Sequence, residues 1–569
     1  MGHHRKLVSL LSLALPVLLV AAACGGDDDD DGGTAVPTTV AGETTTEGAG
    51  SESEGATGGE LVDLQGFSFG EPDHIDPALA DTFDSAQVST LLYDGLTEYD
   101  FTDPASPELK GLVAEDWEIN EDATVFTFTL RDDVTFSDGE EVLPSSFKKA
   151  WTRALTPALA SSLAYHMLPI QGATELNEGT ATDLAGVVAD DAARTLEVTL
   201  AEPFADFAGV LSHTVFSPMP TAVESLADQT QWEQDVMIGN GPFIMAEPWA
   251  HEQSITLARN ETYFGGLTGE LAKLDTVRFV ISADVESAFA DFEAGNGNTG
   301  RIPSGRFAEA VENYGNATEP NLAMYNFFIN QESQLGGPEN LKLRQAMSLA
   351  IDRQAINDTV YDGARLLPTG ITPPGIPGYT EEGVCELCEF DLERAQTLYG
   401  EWQTEGGALE APVTINFNSG SGHEDVVAIV EQNLQALGLE TVQDPRDPTN
   451  YFKEMREGAC EFCRSGWIWD YPLYDSGTYP LLHSASIGGD NTGRLNDPEV
   501  DRLIDEARAT ADEEARLDKY VEAETKALES VAVVPFNWYT GQVVYDDTVE
   551  NLIMTPLQFI YYERITLKQ

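Results

Sequence analysis

The sequence predicts an α/β fold, because segments with strand periodicity and segments with helix periodicity alternate along the chain. Apolar and polar residues alternate at 124–130, where Phe126, Phe128 and Leu130 share one face, as expected of a half-buried strand. The same alternation recurs at 196–200 and 255–257. This mixture favours an α/β or α+β architecture over a sandwich or a helical bundle.

The helices follow from apolar residues spaced three or four apart. This spacing is found at 343–351 and again at 426–437. Residues 415–417 form a short apolar run that precedes the second of these helices, which predicts a strand–loop–helix unit. Asp497 followed by Pro498 is typical of a helix start, with the aspartate as cap and the proline in the first turn.

The size and charge of the chain exclude several classes of partner. It has 569 residues, with 97 Asp and Glu against 30 Lys and Arg, which gives a formal net charge of −67. Its hydrophobic content of 42% indicates that most of the chain folds. So few cations do not provide the basic surface that a nucleic acid requires, and an anionic membrane surface would repel the protein.

The first residues resemble an export signal. Arg5 and Lys6 precede a hydrophobic run that ends at Ala23, and the next residue is Cys24. The sequence Ala-Ala-Ala-Cys resembles a bacterial lipobox, so residues 1–24 are predicted to be a lipoprotein signal peptide with Cys24 as the lipidated residue. An ordinary secretory signal peptide, with Cys24 incidental, is the alternative. Residues 25–59 are rich in Asp, Glu, Gly and Thr and are predicted to form a disordered tether.

Four further cysteines form two Cys-x-x-Cys pairs, Cys385 with Cys388 and Cys460 with Cys463. In an exported protein such cysteines are expected to form disulfides, and four cysteines allow three connectivities. A tetrahedral zinc site is the alternative.

No catalytic motif emerges from the sequence. The Gly-Ser-Gly-His run at 420–423 lacks the glycines that a serine nucleophile elbow requires. The histidines, His166 and His213 among them, show no metal-ligand spacing. Paired carboxylates for glycoside hydrolysis carry no signal in a chain with so many acidic residues, so a secreted hydrolase remains an alternative without direct support.

Seven ordered blocks of sequence resemble the extracytoplasmic solute-binding proteins of family 5, the oligopeptide- and dipeptide-binding proteins that serve ABC importers. The block at 126–139, which reads FTFTLRDDVTFSDG, resembles the most diagnostic stretch of that family. The blocks are residues 70–77, 92–96, 112–117, 126–139, 239–243, 259–264 and 343–353.

The resemblance implies a bilobal periplasmic-binding-protein-like fold, in which two α/β lobes joined by a hinge enclose a ligand cleft and the first lobe carries an inserted domain. On this sequence, lobe I is expected at 60–83, 216–320 and 537–569. The inserted domain is expected at 84–215 and lobe II at 321–536.

The resemblance also implies ligand contacts. Residues 466–471 resemble a motif in which an aspartate pairs with the α-ammonium group of a peptide, so Asp470 is the first candidate. Trp467 and Trp469 lie two apart and therefore on one face of a strand. They are expected either to line side-chain pockets or simply to pack.

Two further sets of contacts follow from the same resemblance. Residues 71–73, with Glu71 and Asp73, and residues 465–467 are expected to bind the peptide main chain. Arg464 matches an arginine that meets a ligand carboxylate, and Arg456 matches a second such residue when one gap is allowed.

The expected protein is therefore a monomeric, lipid-anchored, extracytoplasmic binding protein, not an enzyme. It would deliver oligopeptides to the permease and ATPase subunits of an ABC transporter, with no cofactor, metal or nucleic acid. A nickel complex, an opine or an oligosaccharide is the alternative ligand.

Overall fold

A computed structural model of the protein describes residues 58–64, 71–104, 106–235, 237–282, 284–303, 305–419 and 422–568. The predicted signal peptide, Cys24 and nearly all of the predicted tether lie outside the described residues.

Strands and helices alternate through the described residues, which confirms the mixed α/β fold. The strands are β1 Glu60–Leu64, β2 Thr97–Asp100, β3 Glu108–Gly111, β4 Ala114–Ile119, β5 Val125–Leu130, β6 Val187–Asp190, β7 Thr195–Thr199, β8 Phe243–Met245, β9 Ser254–Arg259, β10 Thr276–Val280, β11 Thr299–Arg301, β12 Gly315–Ile329, β13 Val413–Asn418, β14 Thr441–Arg446, β15 Phe462–Ile468, β16 Val533–Tyr545, β17 Val549–Glu550 and β18 Thr566–Leu567. The α-helices are α1 Phe83–Leu92, α2 Pro144–Ala154, α3 Ala173–Asn177, α4 Phe207–Val210, α5 Thr221–Glu224, α6 Trp232–Asp235, α7 Val285–Glu293, α8 Phe307–Asn313, α9 Leu341–Ala350, α10 Arg353–Val360, α11 Leu392–Thr404, α12 His423–Leu437, α13 Pro448–Arg456, α14 Asp475–Leu482, α15 Pro498–Arg508 and α16 Glu513–Ser530.

The local periodicities of the sequence are confirmed element by element. Phe126, Phe128 and Leu130 of β5 are buried, as the alternation predicts. The helical spacing at 343–351 corresponds to α9, and the strand–loop–helix unit corresponds to β13 and α12. Asp497 caps α15 by accepting a hydrogen bond from the backbone N–H of Glu499.

The largest sheet has the strand order β14-β13-β15-β12-β16-β11-β1-β10-β9-β8. Its two longest strands, β12 and β16, are antiparallel neighbours in the middle of this order. The register of β12 against β16 shifts between Pro320 and Met324. The part of β16 that pairs with β12 ahead of this shift also pairs with β11. After the shift, β12 pairs with β15 as well as with β16. A separate sheet has the order β4-β5-β7-β6.

Apolar side chains form separate clusters on either side of the register shift. The largest cluster draws mainly on residues 61–279 and 543–565, so it joins the predicted lobe I to the predicted inserted domain. Two others are built from residues 325–536 and 322–538. These clusters hold β15, the strand that leads to Asp470, against the central strands.

Candidate functional site

A cavity of about 350 Å³ lies where chain segments from all three predicted units meet. The predicted lobe I contributes residues 80–83 and 555–564, and the predicted lobe II contributes residues 468–470. The rings of Phe83 and Phe559 stack with their centroids 5.5 Å apart and form an apolar wall. A concave space with apolar walls and a few polar groups is the usual form of a small-ligand site.

Asp470 follows β15 and lines this cavity as an exposed residue. The hydroxyl of Tyr165 donates a hydrogen bond to its Oδ2 over 3.3 Å. The surrounding protein raises the pKa of Asp470 to about 6 by desolvation, and the nearby carboxylates Asp81 and Asp490 act in the same direction. Within the described residues no basic side chain pairs with Asp470, so its carboxylate is available to a cationic group of a ligand.

Trp467 lies in β15 and Trp469 directly follows it, and both pack into the protein. The Nε1 of Trp467 donates to the backbone oxygen of Ser476 over 2.8 Å. Trp469 is only 1% exposed and belongs to an apolar cluster, although it also borders the cavity. The tryptophans were expected either to line side-chain pockets or to pack. Both of them pack, and only Trp469 also borders the cavity.

Arg464 lies near the start of β15, whereas Asp470 lies two residues beyond its end. It is 8% exposed, and its guanidinium lies 4.7 Å from the ring centroid of Tyr325. Nη1 donates to Oδ1 of Asn418 over 3.3 Å, whereas Nε has no hydrogen-bond partner among the described residues. Among the described residues no carboxylate pairs with this guanidinium, as is also true of the buried Arg344 and Arg353, which bind backbone oxygens instead.

Arg365 provides a second guanidinium in the same region. It lies 4.2 Å from the ring centroid of Tyr361 and 3.9 Å from that of Tyr539, and it donates to Asn537 over 3.2 Å. Burial lowers the pKa of His423 to about 4, and the charges of Arg464 and Arg365 both add to this effect. The described residues provide no carboxylate partner for either arginine, so the pair forms a candidate anion site.

The remaining predicted contact residues lie elsewhere. Arg456 is exposed in α13, where its Nη2 pairs with Asp490 over 3.1 Å. Glu71 accepts a hydrogen bond from the backbone of Glu252 over 2.9 Å, and Asp73 accepts one from Thr82 over 3.0 Å near the start of α1. None of these three residues borders the cavity. Residues 80–83 line the cavity together with 468–470 instead, so the roles of Glu71, Asp73 and Arg456 as ligand contacts stay predictions.

Sequence reasoning missed Tyr165, Arg365 and the segment 80–83. Tyr165 approaches Asp470 only through the tertiary fold, because 305 residues separate them. Residues 80–83 begin two residues beyond the shared block at 70–77, and their position near that block was the one signal that could have identified them.

The cysteines pair within each motif, Cys385 with Cys388 and Cys460 with Cys463.

His166, His213 and Asp470 bring potential metal-ligand atoms within 4.8 Å of one another. However, Nδ1 of His213 accepts the backbone N–H of Val215, and the two imidazole rings are tilted by 33° with their centroids 4.3 Å apart. We assign no metal to this group.

The helices of the described residues include none long and apolar enough to cross a membrane.

Comparison with known proteins gives consistent matches along most of the chain. The family model described as "Bacterial extracellular solute-binding proteins, family 5 Middle" matches residues 108–489. "Dipeptide-binding protein DppE" of Bacillus subtilis (strain 168) is 26% identical over 526 residues, which cover 90% of this chain and 93% of DppE. "Periplasmic oligopeptide-binding protein OppA" of Escherichia coli (strain K12) is 27% identical over 491 residues, covering 83% and 86%.

Solved structures show the same fold. The unliganded open form of the periplasmic murein tripeptide-binding protein MppA has a TM-score of 0.77 and 24% identity, covering 90% of this chain and 99% of MppA. Haemophilus influenzae OppA in complex with RPPGFSPFR has a TM-score of 0.66 and 24% identity, with coverage of 90% and 99%. The expected bilobal α/β fold of periplasmic binding proteins is therefore confirmed.

Proposed function

Because this chain belongs to family 5 of the bacterial extracellular solute-binding proteins, we propose that it captures oligopeptides outside the cytoplasm and delivers them to the permease of an ABC importer. The observation that carries the proposal is the placement of opposite charges at the two ends of the segment 464–470, which contains most of β15. Asp470, at one end, lacks a basic partner among the described residues. Arg464 and Arg365, at the other end, lack a carboxylate there.

This arrangement matches the two ends of a zwitterionic peptide. Residues six apart in an extended segment are about 20 Å apart, which is the span of roughly five or six extended ligand residues. The α-ammonium group would pair with Asp470 and the α-carboxylate with the two guanidiniums, each through charge-assisted hydrogen bonds. Several curated relatives are named as oligopeptide- or dipeptide-binding proteins, which supports the same ligand class.

The alternative ligands and the hydrolase explain less of this geometry. A nickel complex, an opine or an oligosaccharide would not need an anionic and a cationic anchor at opposite ends of an extended strand. The curated relatives are binding proteins, which favours capture over catalysis.

The proposal includes closure of two lobes with the boundaries predicted from the sequence. The change from lobe I to lobe II at 320–321 falls on the register shift in β12, and the return at 536–537 falls within β16. Bending of these two strands would close the cleft over the ligand.

The proposal also includes a lipid anchor at Cys24. Lipidation would hold the protein at the outer face of the membrane, with residues 25–59 as the tether. The variant Cys24→Ala is expected to appear in the soluble fraction after export, whereas the native protein remains with the membrane. If the variant also remains with the membrane, the anchor is not at Cys24.

The experiment that tests the function is native mass spectrometry of the freshly purified protein, followed by a thermal-shift screen with an oligopeptide library. Bound masses that correspond to peptides, and stabilisation by library peptides, are expected. Asp470→Asn should lose this stabilisation. Glu118→Gln removes one charge from an exposed position of β4 and is the matched control. The absence of peptide in both measurements would refute the proposal.

A further inference from the structure

The predicted inserted domain touches the predicted lobe II at a place removed from Asp470. After β7 the chain runs through residues 204–206 and meets helices α15 and α16 of lobe II. The backbone N–H of Ala205 donates to the backbone oxygen of Arg508, the last residue of α15, over 2.8 Å. Among the described residues that line the cavity, none belongs to this contact.

Two carboxylates and two guanidiniums meet at this contact. Nε of Arg516, in α16, lies 2.7 Å from Oδ1 of Asp206. Nη1 of Arg508 lies 3.9 Å from Oδ2 of Asp475, in α14. The hydroxyl of Tyr520 lies 3.3 Å from Oδ2 of Asp206 and 3.0 Å from Oδ1 of Asp475, and its single hydrogen serves one of them at a time. An ion pair with a shared hydroxyl therefore joins the inserted domain to lobe II.

Arg508 also connects the two units through its aromatic neighbours. Its guanidinium carbon lies 4.3 Å from the ring centroid of Phe204 and 4.2 Å from that of Tyr479. Phe204 belongs to the largest apolar cluster, whereas Tyr479 packs against the cluster that contains residues of α15 and α16. One guanidinium thus contacts a ring from each of two separate cores.

The contact is shielded from water. Asp206 is 8% exposed, and Tyr520 is fully buried. Burial raises the pKa of Asp206 to about 6, and the charge of Arg516 opposes this rise. Without Arg516 the contact would hold a buried carboxylate with no cation beside it, whereas separation of the two units would return that carboxylate to water. Arg516 therefore favours the joined arrangement over the separated one.

The composition of the contact is that of an interface that can open. Leu473 of lobe II packs in the largest apolar cluster, but the other groups that meet here are mainly charged or polar. Each unit retains most of its own apolar cluster without the other. Interfaces between units of one chain are typically more polar than cores, and they permit relative motion.

We propose that this group, which we call the latch, holds lobe II against the inserted domain before a ligand binds and thereby sets the affinity for the ligand. The latch consists of Phe204, Asp206, Asp475, Arg508, Arg516 and Tyr520. The inference rests on the proposed function, because a cleft that closes over its ligand binds more tightly when the closed form is already populated. The latch residues are positioning residues, which keep segment 468–470 against the rest of the cavity.

Calorimetric titration of the variants with one pentapeptide tests the effect on affinity. Arg516→Met leaves Asp206 without its cation and should weaken binding by about tenfold or more. Arg516→Lys keeps the positive charge and should stay within about threefold of the native affinity. Arg502→Met is the matched control, because Arg502 pairs at the surface with Glu499 and Glu506 of its own helix, and it should bind as the native protein does.

Small-angle X-ray scattering of the protein without peptide supplies a readout that needs no ligand. Arg516→Met should have a larger radius of gyration than the native protein and Arg502→Met, because the two units separate where the latch is broken. The unfolding temperatures of the two methionine variants should agree within about 3 °C, since each unit keeps its own core. A merely structural role of Arg516 would lower the unfolding temperature and leave the radius unchanged.

The outcomes separate this inference from the proposed function. If folded Arg516→Met binds the peptide as tightly as the native protein does, the latch does not set the affinity, and peptide capture stands. An equal radius of gyration in Arg516→Met and the native protein also overturns the latch. If the native protein binds no peptide, the proposed function fails and the effect on affinity fails with it, whereas the scattering result still shows whether the latch joins the two units.

Discussion

The carboxylate of Asp470 combines an open position with an environment that disfavours its charge. Desolvation raises its pKa to about 6, with Asp81 and Asp490 adding to the shift, while the hydroxyl of Tyr165 donates a hydrogen bond to its side chain. A peptide ammonium group would supply the missing positive charge. Its binding would favour the ionised form of Asp470, so proton release and ligand binding are linked.

This linkage predicts a pH dependence of affinity. For a peptide with neutral side chains, the affinity should be highest near about pH 7 and should fall as the pH decreases through about 6, because protonated Asp470 cannot pair with an ammonium group. Below that value the loss should approach about tenfold per pH unit. Titration calorimetry between pH 5 and pH 7.5, at about half-unit steps, measures this dependence. A flat profile for the native protein, or the same slope in Asp470→Asn, would contradict it.

At the level of elements, a buried ion pair fixes the first residues of the fold to α2. Nη1 of Arg153 donates to Oδ1 of Asp76 over 3.0 Å, and its Nη2 pairs with the other carboxylate oxygen. Asp76 is fully buried and Arg153 is 3% exposed. The guanidinium also lies 5.2 Å from the ring centroid of Trp232. This pair positions the turn that leads to residues 80–83 of the cavity.

Removal of one partner from this pair should be strongly destabilising. Arg153→Met leaves Asp76 buried without a cation and is expected to lower the free energy of unfolding by about 3–5 kcal/mol. Arg502→Met is the matched control, because Arg502 pairs with Glu499 at the surface and such pairs contribute less than about 1 kcal/mol. Urea unfolding of both variants gives the two values. Similar small losses in both would show that the buried pair does not hold the turn.

The elements were predictable from the sequence where local patterns determine them. Alternation identified β5, and helical spacing identified α9 and α12. Alternation also placed Trp467 and Trp469 on one face of β15, but it could not say whether that face meets the core or the cavity. That choice depends on which neighbouring elements cover the strand.

The candidate site was predictable only where a family motif contains it. Asp470 and Arg464 belong to or adjoin the motif at 466–471, so the resemblance predicts both as ligand contacts. Tyr165, Arg365 and Asp94 come from distant parts of the chain, and their relation to the site is set by tertiary packing. Asp94 lies inside the shared block at 92–96, but a motif does not show that this residue lines the cavity.

At the scale of the whole molecule, the formal net charge of −67 affects the stability of the folded state. Residues 1–24 carry +2 and residues 25–59 carry −9, so −60 belongs to residues 60–569. Like charges at this density repel one another and oppose the compact state, and dissolved salt screens the repulsion.

Salt is therefore expected to stabilise the protein. The unfolding temperature should rise by at least about 3 °C between roughly 0.05 M and 1 M KCl, the shift that about 1 kcal/mol produces in a large domain. Differential scanning calorimetry measures the change, with sucrose at matched osmolality as a control for effects of solute exclusion. An unchanged or lower unfolding temperature would show that the acidic surface does not limit stability.

The central claim is that one end of the cleft recognises the free amino terminus of a peptide through Asp470. It is tested most directly by calorimetric titration of the native protein with a pentapeptide and with its N-acetylated form. The free peptide should bind about 100-fold more tightly or better, because acetylation removes the charge that Asp470 pairs with, and Asp470→Asn should abolish most of this difference. Equal binding of the two forms, or no binding of either, would contradict the claim.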